Sequence, residues 1–404
     1  MRIAVTGAGG RLGSALVAAL MRERPLSRAV SVEGWSRPAL DLDRPGTLSA
    51  LVRARRPDLV IHAAAWTDVD GCARDPDAAM RRNGEATAAL AEACREAGTD
   101  LLYVSTNEVF DGRRTDRRPY AEDDPVAPAN AYGRSKLAGE EAVLAGVGLV
   151  DGARVPAGPA IGDGGTTSGT GEQGLAAASG RVAARGQAAA PGRVVVPGHP
   201  AAPGRAAERD EPRRWVVRTA WLYGPPGADF PARIISAAVR AAAEGTTLRL
   251  VADEIGSPTR AADLASGIVA LVRARPESGV YHLVNAGRAS RAEWAELVLR
   301  EVGVRVRTER VPGATWQRAS TPPAWGVLAI GRAAQLGIML RGWRSALFDE
   351  MPRYRALAAE PQAAETQTAE AGAAEAGAAE VQTAEAQAAS GPGKADDPTG
   401  AETR

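Results

Sequence analysis

Tyr132 and Lys136 are the residues whose types and spacing most directly suggest chemistry. The chain carries 49 Lys and Arg residues, and only Lys136 and Lys394 among them are lysine. Arginine keeps its proton and spreads its charge over a planar fork, whereas lysine is a compact ammonium that can release a proton. A lysine kept in a chain that uses arginine almost everywhere else marks a position that needs ammonium chemistry. Lys394 lies in a compositionally biased tail, so Lys136 is the single lysine in the part expected to fold. It follows the tyrosine in Ala131-Tyr132-Gly133-Arg134-Ser135-Lys136. Pro125, Pro128 and Asn130 precede the pair, and Ser135 to Ala142 reads as helix. Residues four apart share a helix face, so a phenol and an ammonium can address one point. The ammonium then favours the phenolate, lowers the Tyr132 pKa and makes it a proton donor and acceptor near neutral pH. Taken alone, the pair fits equally a solvated lysine beside a half-buried tyrosine.

The elements that must position this pair begin at the N-terminus. Arg2 to Thr6 is a short apolar strand, Gly7-Ala8-Gly9-Gly10-Arg11-Leu12-Gly13 is a glycine-rich turn, and Ser14 to Met21 reads as helix. Strand, Gly-x-x-Gly-x-x-Gly turn and helix form a dinucleotide-binding pattern: Gly7 allows the tight turn, Gly10 lets a pyrophosphate approach the backbone, and Gly13 lets helix and strand pack closely. The anion would sit at the helix N-terminus. Further strands are expected at Ala29–Glu33, Leu59–Ala65 and Asp100–Thr106, with helices near 44–55 and 76–97. This alternation predicts an α/β fold with a Rossmann-type, doubly wound parallel sheet. Ligands of such a sheet bind beyond the C-terminal ends of its strands. The glycine turn, Ala63–Thr67 and Ser105–Thr106 all fall at strand ends and should converge on one crevice.

Taken together, these segments resemble the extended short-chain dehydrogenase/reductase family, and within it the dTDP-4-dehydrorhamnose reductase branch. The matching stretches are Thr6–Gly13, His62-Ala63-Ala64-Ala65-Trp66-Thr67, Val104–Gly112, Tyr132–Glu140, Arg218-Thr219-Ala220-Trp221-Leu222-Tyr223-Gly224, Asp253–Thr259 and Gly279–Asn285. Their order and spacing cover 1–147 and about 213–350. The resemblance implies reduction of a dTDP-4-keto-6-deoxyhexose by NADPH or NADH, with Thr106, Tyr132 and Lys136 as the catalytic set. Tyr132 would protonate the C4 oxygen as hydride arrives, Lys136 would hold the nicotinamide ribose, and Thr106 would bond the carbonyl. Cofactor contacts are implied at Gly7, Gly10, Arg11, Leu12, Gly13, Ser36, Arg37, Asp41, Leu42, Ala63, Ala64 and Ala65 as well as Tyr132 and Lys136. Substrate contacts are implied at Thr67, Thr106, Asn107, Glu108 and Trp221, the tryptophan offering a flat apolar wall. The chain departs from the family in two places. Asn107-Glu108 stands where Asp-Tyr is common, so the sugar contact differs if the family tyrosine there touches substrate. After the second strand, where NAD enzymes place an acid, the chain reads Gly34-Trp35-Ser36-Arg37. Ser36 and Arg37 suit a 2′-phosphate and so NADPH, although Arg37 also reads as a solvated loop arginine. Two alternatives stay open: a nucleotide-sugar epimerase or dehydratase on the same scaffold, and a non-catalytic NADP-binding regulatory subunit.

The expected organisation is a NAD(P)-binding domain over 1–150 and 213–227, and a mainly substrate-binding lobe with returning Rossmann elements over 228–357. The run 151–212 is Gly, Ala, Pro and Arg with almost no large apolar side chain. It cannot bury enough surface to offset ordering entropy and is expected to be a disordered insertion. The Ala/Glu-rich stretch 358–404 has no apolar stripe and is expected to be a disordered tail. A formal net charge of +1 gives no electrostatic case for nucleic acid. The opening strand predicts no signal peptide, and no apolar run reaches membrane-spanning length. Cys72 and Cys94 read as free thiols in a reducing, cytoplasmic setting. His62, His199 and His282 lack metal spacing, and His62 and His282 read as structural strand histidines, so no metal is expected. A homodimer is the one assembly left open.

Overall fold

The computed structural model describes residues 1–22, 30–145, 147 and 211–359. The insertion expected at 151–212 lies outside the described residues except for 211 and 212, and the tail at 358–404 except for 358 and 359. Short β-branched and aliphatic runs become the strands β1 (Arg2–Thr6), β2 (Ser31–Trp35), β3 (Leu59–His62), β4 (Asp100–Thr106), β5 (Arg214–Thr219) and β6 (Gly279–His282). They pair in parallel in the order β6-β5-β4-β3-β1-β2. β3, β5 and β6 are buried along their whole length, as expected for a parallel sheet with both faces covered. After β2 the chain crosses to the far side of β1 to form β3. That reversal of strand order is the switch point where open α/β sheets leave a ligand crevice.

The helices framing the sheet and the lobe beside it are α1 (Arg11–Arg22), α2 (Gly46–Arg55), α3 (Ala86–Glu96), α4 (Ala131–Leu144), α5 (Phe230–Ala243), α6 (Ala261–Ala274) and α7 (Arg291–Val302). Strand side chains alternate between faces. Ile3, Val5, Ile61 and Val217 meet Leu16 of α1 and Leu264 and Ile268 of α6. Ala4, Val60, Leu101 and Val216 meet Leu48, Leu90 and Val143 of α2, α3 and α4. The lobe packs α5 and α7 around Trp294, Trp343 and Tyr354. Small pairings complete it: Thr247–Val251 with Arg307–Val311, and Ile255–Gly256 with Ala289–Ser290 and Trp325–Gly326. The chain thus returns to the main sheet through α6 and β6 after visiting the lobe.

Among the boundaries that differ from the sequence-based expectation, three have a clear local reason. β2 runs two residues later than Ala29–Glu33 and takes in Trp35. The Trp35 carbonyl accepts the Gly7 N–H at 2.8 Å, which extends the register to the glycine turn. β3 stops at His62 rather than Ala65, so Ala63 to Ala65 leave the sheet, with the Ala64 N–H held by Thr6 Oγ1 at 3.0 Å. α4 begins at Ala131, because Asn130 caps it by accepting the Gly133 N–H at 2.8 Å. Tyr132 therefore lies inside the first helical turn.

Candidate active site

A cavity of about 410 Å³ opens at the C-terminal ends of the central strands. Its floor is the glycine turn. Gly7 has φ +67°, which only glycine adopts without strain. A Cβ on Gly13 would lie 2.0 Å from the Gly7 carbonyl oxygen, so α1 can approach the turn only with glycine there. The first-turn N–H groups of a helix have no partner within it, and Arg11, Leu12 and Gly13 of α1 line the cavity with Gly7, Gly10, Ala63 and Ala65. These residues fit a dinucleotide pyrophosphate. Arg11 lines the cavity but its guanidinium is engaged: Nε donates to the Gly224 carbonyl at 2.5 Å and Nη2 to those of Pro226 and Ala228, both at 3.2 Å. It clamps the turn to the entrance of the lobe. Ser36, Arg37, Asp41, Leu42 and Ala64 lie outside this cavity wall. Ser36 Oγ accepts the Gly9 N–H at 3.1 Å, which places the Ser36–Arg37 corner against the turn. Asp41 caps its own loop through the Asp43 N–H, and Leu42 packs into the core below.

Thr106, Tyr132 and Lys136 share the cavity. The Thr106 hydroxyl faces the Tyr132 phenol closely enough to act on its pKa, and Thr106 Oγ1 accepts the Glu108 N–H at 3.2 Å. One expectation is corrected here. The Lys136 ammonium does not lower the Tyr132 pKa. Burial pushes the phenol up, the Glu108 charge adds to the rise, and only the neighbouring Thr106 hydroxyl opposes it. The ammonium instead donates to the Val104 carbonyl at 2.8 Å and lies 4.1 Å from the centre of the Tyr103 ring. Its own pKa is pulled down to about 7 by burial, with Glu140 and Cys72 opposing.

The wall away from the glycine turn is built on Thr67, Glu108, Trp221 and Arg291. Glu108 Oε2 accepts from Asn130 Nδ2 at 2.6 Å, and burial raises the carboxyl pKa. Asn107 also borders the cavity, but its amide donates to the Gly326 carbonyl at 3.3 Å, tying strand β4 to the lobe. Trp221 differs from the apolar wall expected of it. It sits in the left-handed region at φ 44°, stacks parallel to Trp294 at 5.9 Å and carries the Arg291 guanidinium 3.8 Å from its ring. Gly256 makes room for it, since a Cβ there would lie 2.5 Å from the indole. The wall is thus aromatic with a cation on it, and burial lowers the Arg291 pKa to about 10.

With this geometry in view, the comparisons with known proteins become specific. The model of the family described as RmlD substrate binding domain matches residues 1–153 and 202–356. The chain belongs to this family. It is 32% identical to a probable dTDP-4,6-dihydroxy-2-methyloxan-3-one 4-ketoreductase of Streptomyces antibioticus, covering 89% of this chain and 97% of the relative. It is also 32% identical to the dTDP-4-dehydrorhamnose reductase of Mycobacterium tuberculosis, covering 86% of this chain and 91% of that one. Among solved structures, the dTDP-4-dehydrorhamnose reductase of Clostridium acetobutylicum superposes with a TM-score of 0.64 at 25% identity, covering 86% and 97% of the two chains. The Bacillus anthracis enzyme in complex with NADP gives a TM-score of 0.61 at 25% identity, with the same coverage. The chain is thus a Rossmann-type reductase of the RmlD family, an oxidoreductase.

Several residues of this RmlD-family site escaped sequence reasoning. Asn83 lies in a π-helical stretch, Met80–Glu85, a wide turn common near functional sites. It accepts the Trp66 N–H at 2.8 Å and donates to the Trp66 carbonyl and Ser135 Oγ at 3.0 and 3.1 Å. It thereby couples the Thr67 loop to the helix of Tyr132. Asn130 joins Glu108 to the same helix start. A second cavity of about 930 Å³ adjoins the first through Phe230, Arg233 and Arg291. It adds Arg240, Arg249, Arg318 and the half-exposed Trp316 over an apolar floor of Leu248 and Leu250. Arginines were too common in the sequence for this cluster to stand out. His62 and His282 are buried structural histidines, bonded to Thr6 and to the Ala329 carbonyl respectively. Among the described residues no cluster of His, Cys, Asp and Glu is placed to hold a metal, and no helix is long and apolar enough to cross a membrane.

Proposed function

We propose that the protein uses NADPH to reduce the C4 ketone of a dTDP-4-keto-6-deoxyhexose, the leading candidate being dTDP-4-dehydro-L-rhamnose, converted to dTDP-L-rhamnose. The observation that carries the reading is that Thr106, Tyr132 and Lys136 line one cavity floored by the glycine turn. Bound NADPH would supply the hydride. The chain's own groups do the rest. Thr106 and Tyr132 donate to the ketone oxygen, where negative charge develops, and fixed donors at that point stabilise the transition state. The Tyr132 phenol, kept protonated by burial, then gives its proton to the new alkoxide. Lys136 has donors left after its bond to Val104 and holds the ribose beside the phenol. Trp221 and Arg291 form the wall against the sugar. The arginine-rich second cavity suits the nucleoside diphosphate, since guanidinium groups pair with phosphate in a fork. The likeness to the named reductases and the NADP-bound neighbour support both halves of this reading. Two buried free thiols fit a reducing, cytoplasmic compartment.

One observation favours a second reading. Glu108 is a half-buried carboxyl beside the phenol, and a base there could remove a proton next to the ketone, as a dehydratase requires. Asn107 supplies no second acid. The test is NADPH oxidation across a panel of nucleotide sugars. Oxidation only with dTDP-4-keto sugars supports the reductase. Water loss from a dTDP-hexose without net cofactor consumption supports the dehydratase, and tight NADPH binding without turnover on any sugar supports a regulatory role.

A further inference from the structure

Lys136 is buried, with 2% of its surface exposed, and among the described residues no carboxylate forms an ion pair with it, Glu140 acting on it only from a distance. Glu140, one turn along the same helix, is bound to Arg218 of β5 at 2.7 Å, and both are fully enclosed. Burial raises the Cys72 thiol to about 11, so it is neutral. Tyr132 is neutral for the same reason, and His62 of β3 is held near 3 and carries no charge. The fixed contacts left to the ammonium are the Val104 carbonyl and the face of Tyr103 on β4. A cation over an aromatic face is held by the ring's quadrupole, most strongly where water is excluded.

The Tyr103 ring is itself fixed from three sides. Its hydroxyl donates to the Lys136 carbonyl at 3.4 Å. A Cβ on Gly139 would lie 2.5 Å from that hydroxyl, so glycine at the next helical turn lets the phenol pass beneath α4. His62 stacks beside the ring at 5.6 Å with 22° between the planes. The bonds around His62 assign its tautomer. Thr87 gives its single hydroxyl proton to the Asn83 carbonyl at 2.6 Å, so the 3.1 Å contact with His62 Nε2 requires an Nε2–H donor. His62 Nδ1 then accepts the Thr6 hydroxyl at 2.7 Å, and Thr6 accepts the Ala64 N–H at 3.0 Å. Every donor in this chain is used. It begins at Ala64, on the segment bordering the cofactor cavity, and ends at Asn83, which braces Trp66 and the Tyr132 helix.

We propose that Tyr103 is a positioning residue for the reaction: its ring face, locked by the neutral His62 network, holds the Lys136 ammonium at the cavity where a carboxylate would otherwise be needed. The inference rests on the reading of Lys136 as a cofactor-contacting group. A carboxylate partner would occupy the ammonium's donors, whereas a π face leaves them free for a ribose.

The chain's two lysines make the test direct, because isotope-labelled lysine yields one signal for Lys136 and one for Lys394 as reference. Tyr103 is replaced in the full chain by phenylalanine and by its mono-, di- and pentafluoro forms. These nearly preserve shape while withdrawing electron density from the face. The readouts are the Lys136 titration midpoint by NMR and the NADPH Kd by fluorescence. The expected result is a stepwise fall of the midpoint with fluorination and NADPH binding weakened roughly 3- to 10-fold across the series, the size of one cation–π contact. A flat midpoint and flat Kd overturn the proposal. The di- and monofluoro forms keep the comparison intact where the pentafluoro protein does not fold. Lys136→Met is run alongside. Wild-type NADPH affinity and turnover in that variant would refute the cofactor-contact reading itself, which a flat fluorine series alone would leave standing.

Discussion

Lys136→Arg keeps the charge and changes everything else about the group. The ammonium sits between a carbonyl 2.8 Å away and a ring centre 4.1 Å away, with 2% of the residue exposed. A guanidinium is larger and planar. Forcing it into this slot costs about 1–3 kcal/mol of overpacking. If it instead swings towards the cavity, it displaces the ribose contact, and a misplacement of about 1 Å costs about 100-fold in rate, or roughly 2.7 kcal/mol of barrier. The expected outcome is kcat/KM lowered about 100-fold or more in a steady-state NADPH oxidation assay with a 4-keto nucleotide sugar. The same variant has a signature in stability. The folded Lys136 pKa is about 7, below its ordinary value of 10.5, so the unfolded chain binds more protons between those pH values. Stability from this group is therefore absent below about pH 7 and grows as pH rises towards 10.5. Arginine does not titrate there. The wild-type Tm should gain on the arginine variant between pH 7 and 9. Near wild-type kcat/KM, together with parallel Tm–pH curves, would refute the ammonium argument.

Asn130→Ala removes a helix cap worth about 1 kcal/mol and the 2.6 Å donor to Glu108, worth about 1.5–3 kcal/mol for a charged acceptor. Thermal unfolding should drop by several degrees, and a Tm within about 1 °C of wild type would contradict that role. Arg218→Met leaves Glu140 enclosed without a partner and should destabilise by about 3–5 kcal/mol in denaturant titrations. Arg218→Met with Glu140→Leu should recover most of that loss, and a harmless single variant would contradict the pairing argument. Arg37→Ala should lower the NADPH-to-NADH ratio of kcat/KM by roughly tenfold, the loss of one charge-assisted bond to a 2′-phosphate. An unchanged ratio would remove Arg37 from cofactor choice.

The parts legible in the sequence were those governed by local rules. Hydrophobic runs between glycine-rich turns placed the strands to within a few residues, and the glycine spacing placed the floor of the crevice. The Tyr132–Lys136 pair was readable because a lysine stands out against so many arginines. What was not legible depends on contacts across the fold. Asn83 acts from a π-helical turn that no local pattern announces, and Asn130 reads as an ordinary cap until Glu108 is seen beside it. Tyr103 alternates into the core of a strand and looks like packing until the helix of Lys136 is laid over it. The Trp221 wall carries a cation because Arg291 arrives from a helix seventy residues later. The expected effect of Lys136 on Tyr132 failed because spacing on a helix does not say where a long side chain finds its carbonyl.

The central claim is that hydride passes from NADPH to the sugar's C4 while Tyr132 supplies the proton. The most direct measurement follows deuterium from NADPH labelled at the transferring position into product, for the wild type and for Tyr132→Phe. The account predicts one deuterium on the sugar carbon that bore the ketone with the wild type, and none formed by the Phe variant despite wild-type NADPH affinity. Unlabelled dehydrated product, or equal label transfer by Tyr132→Phe, would contradict it.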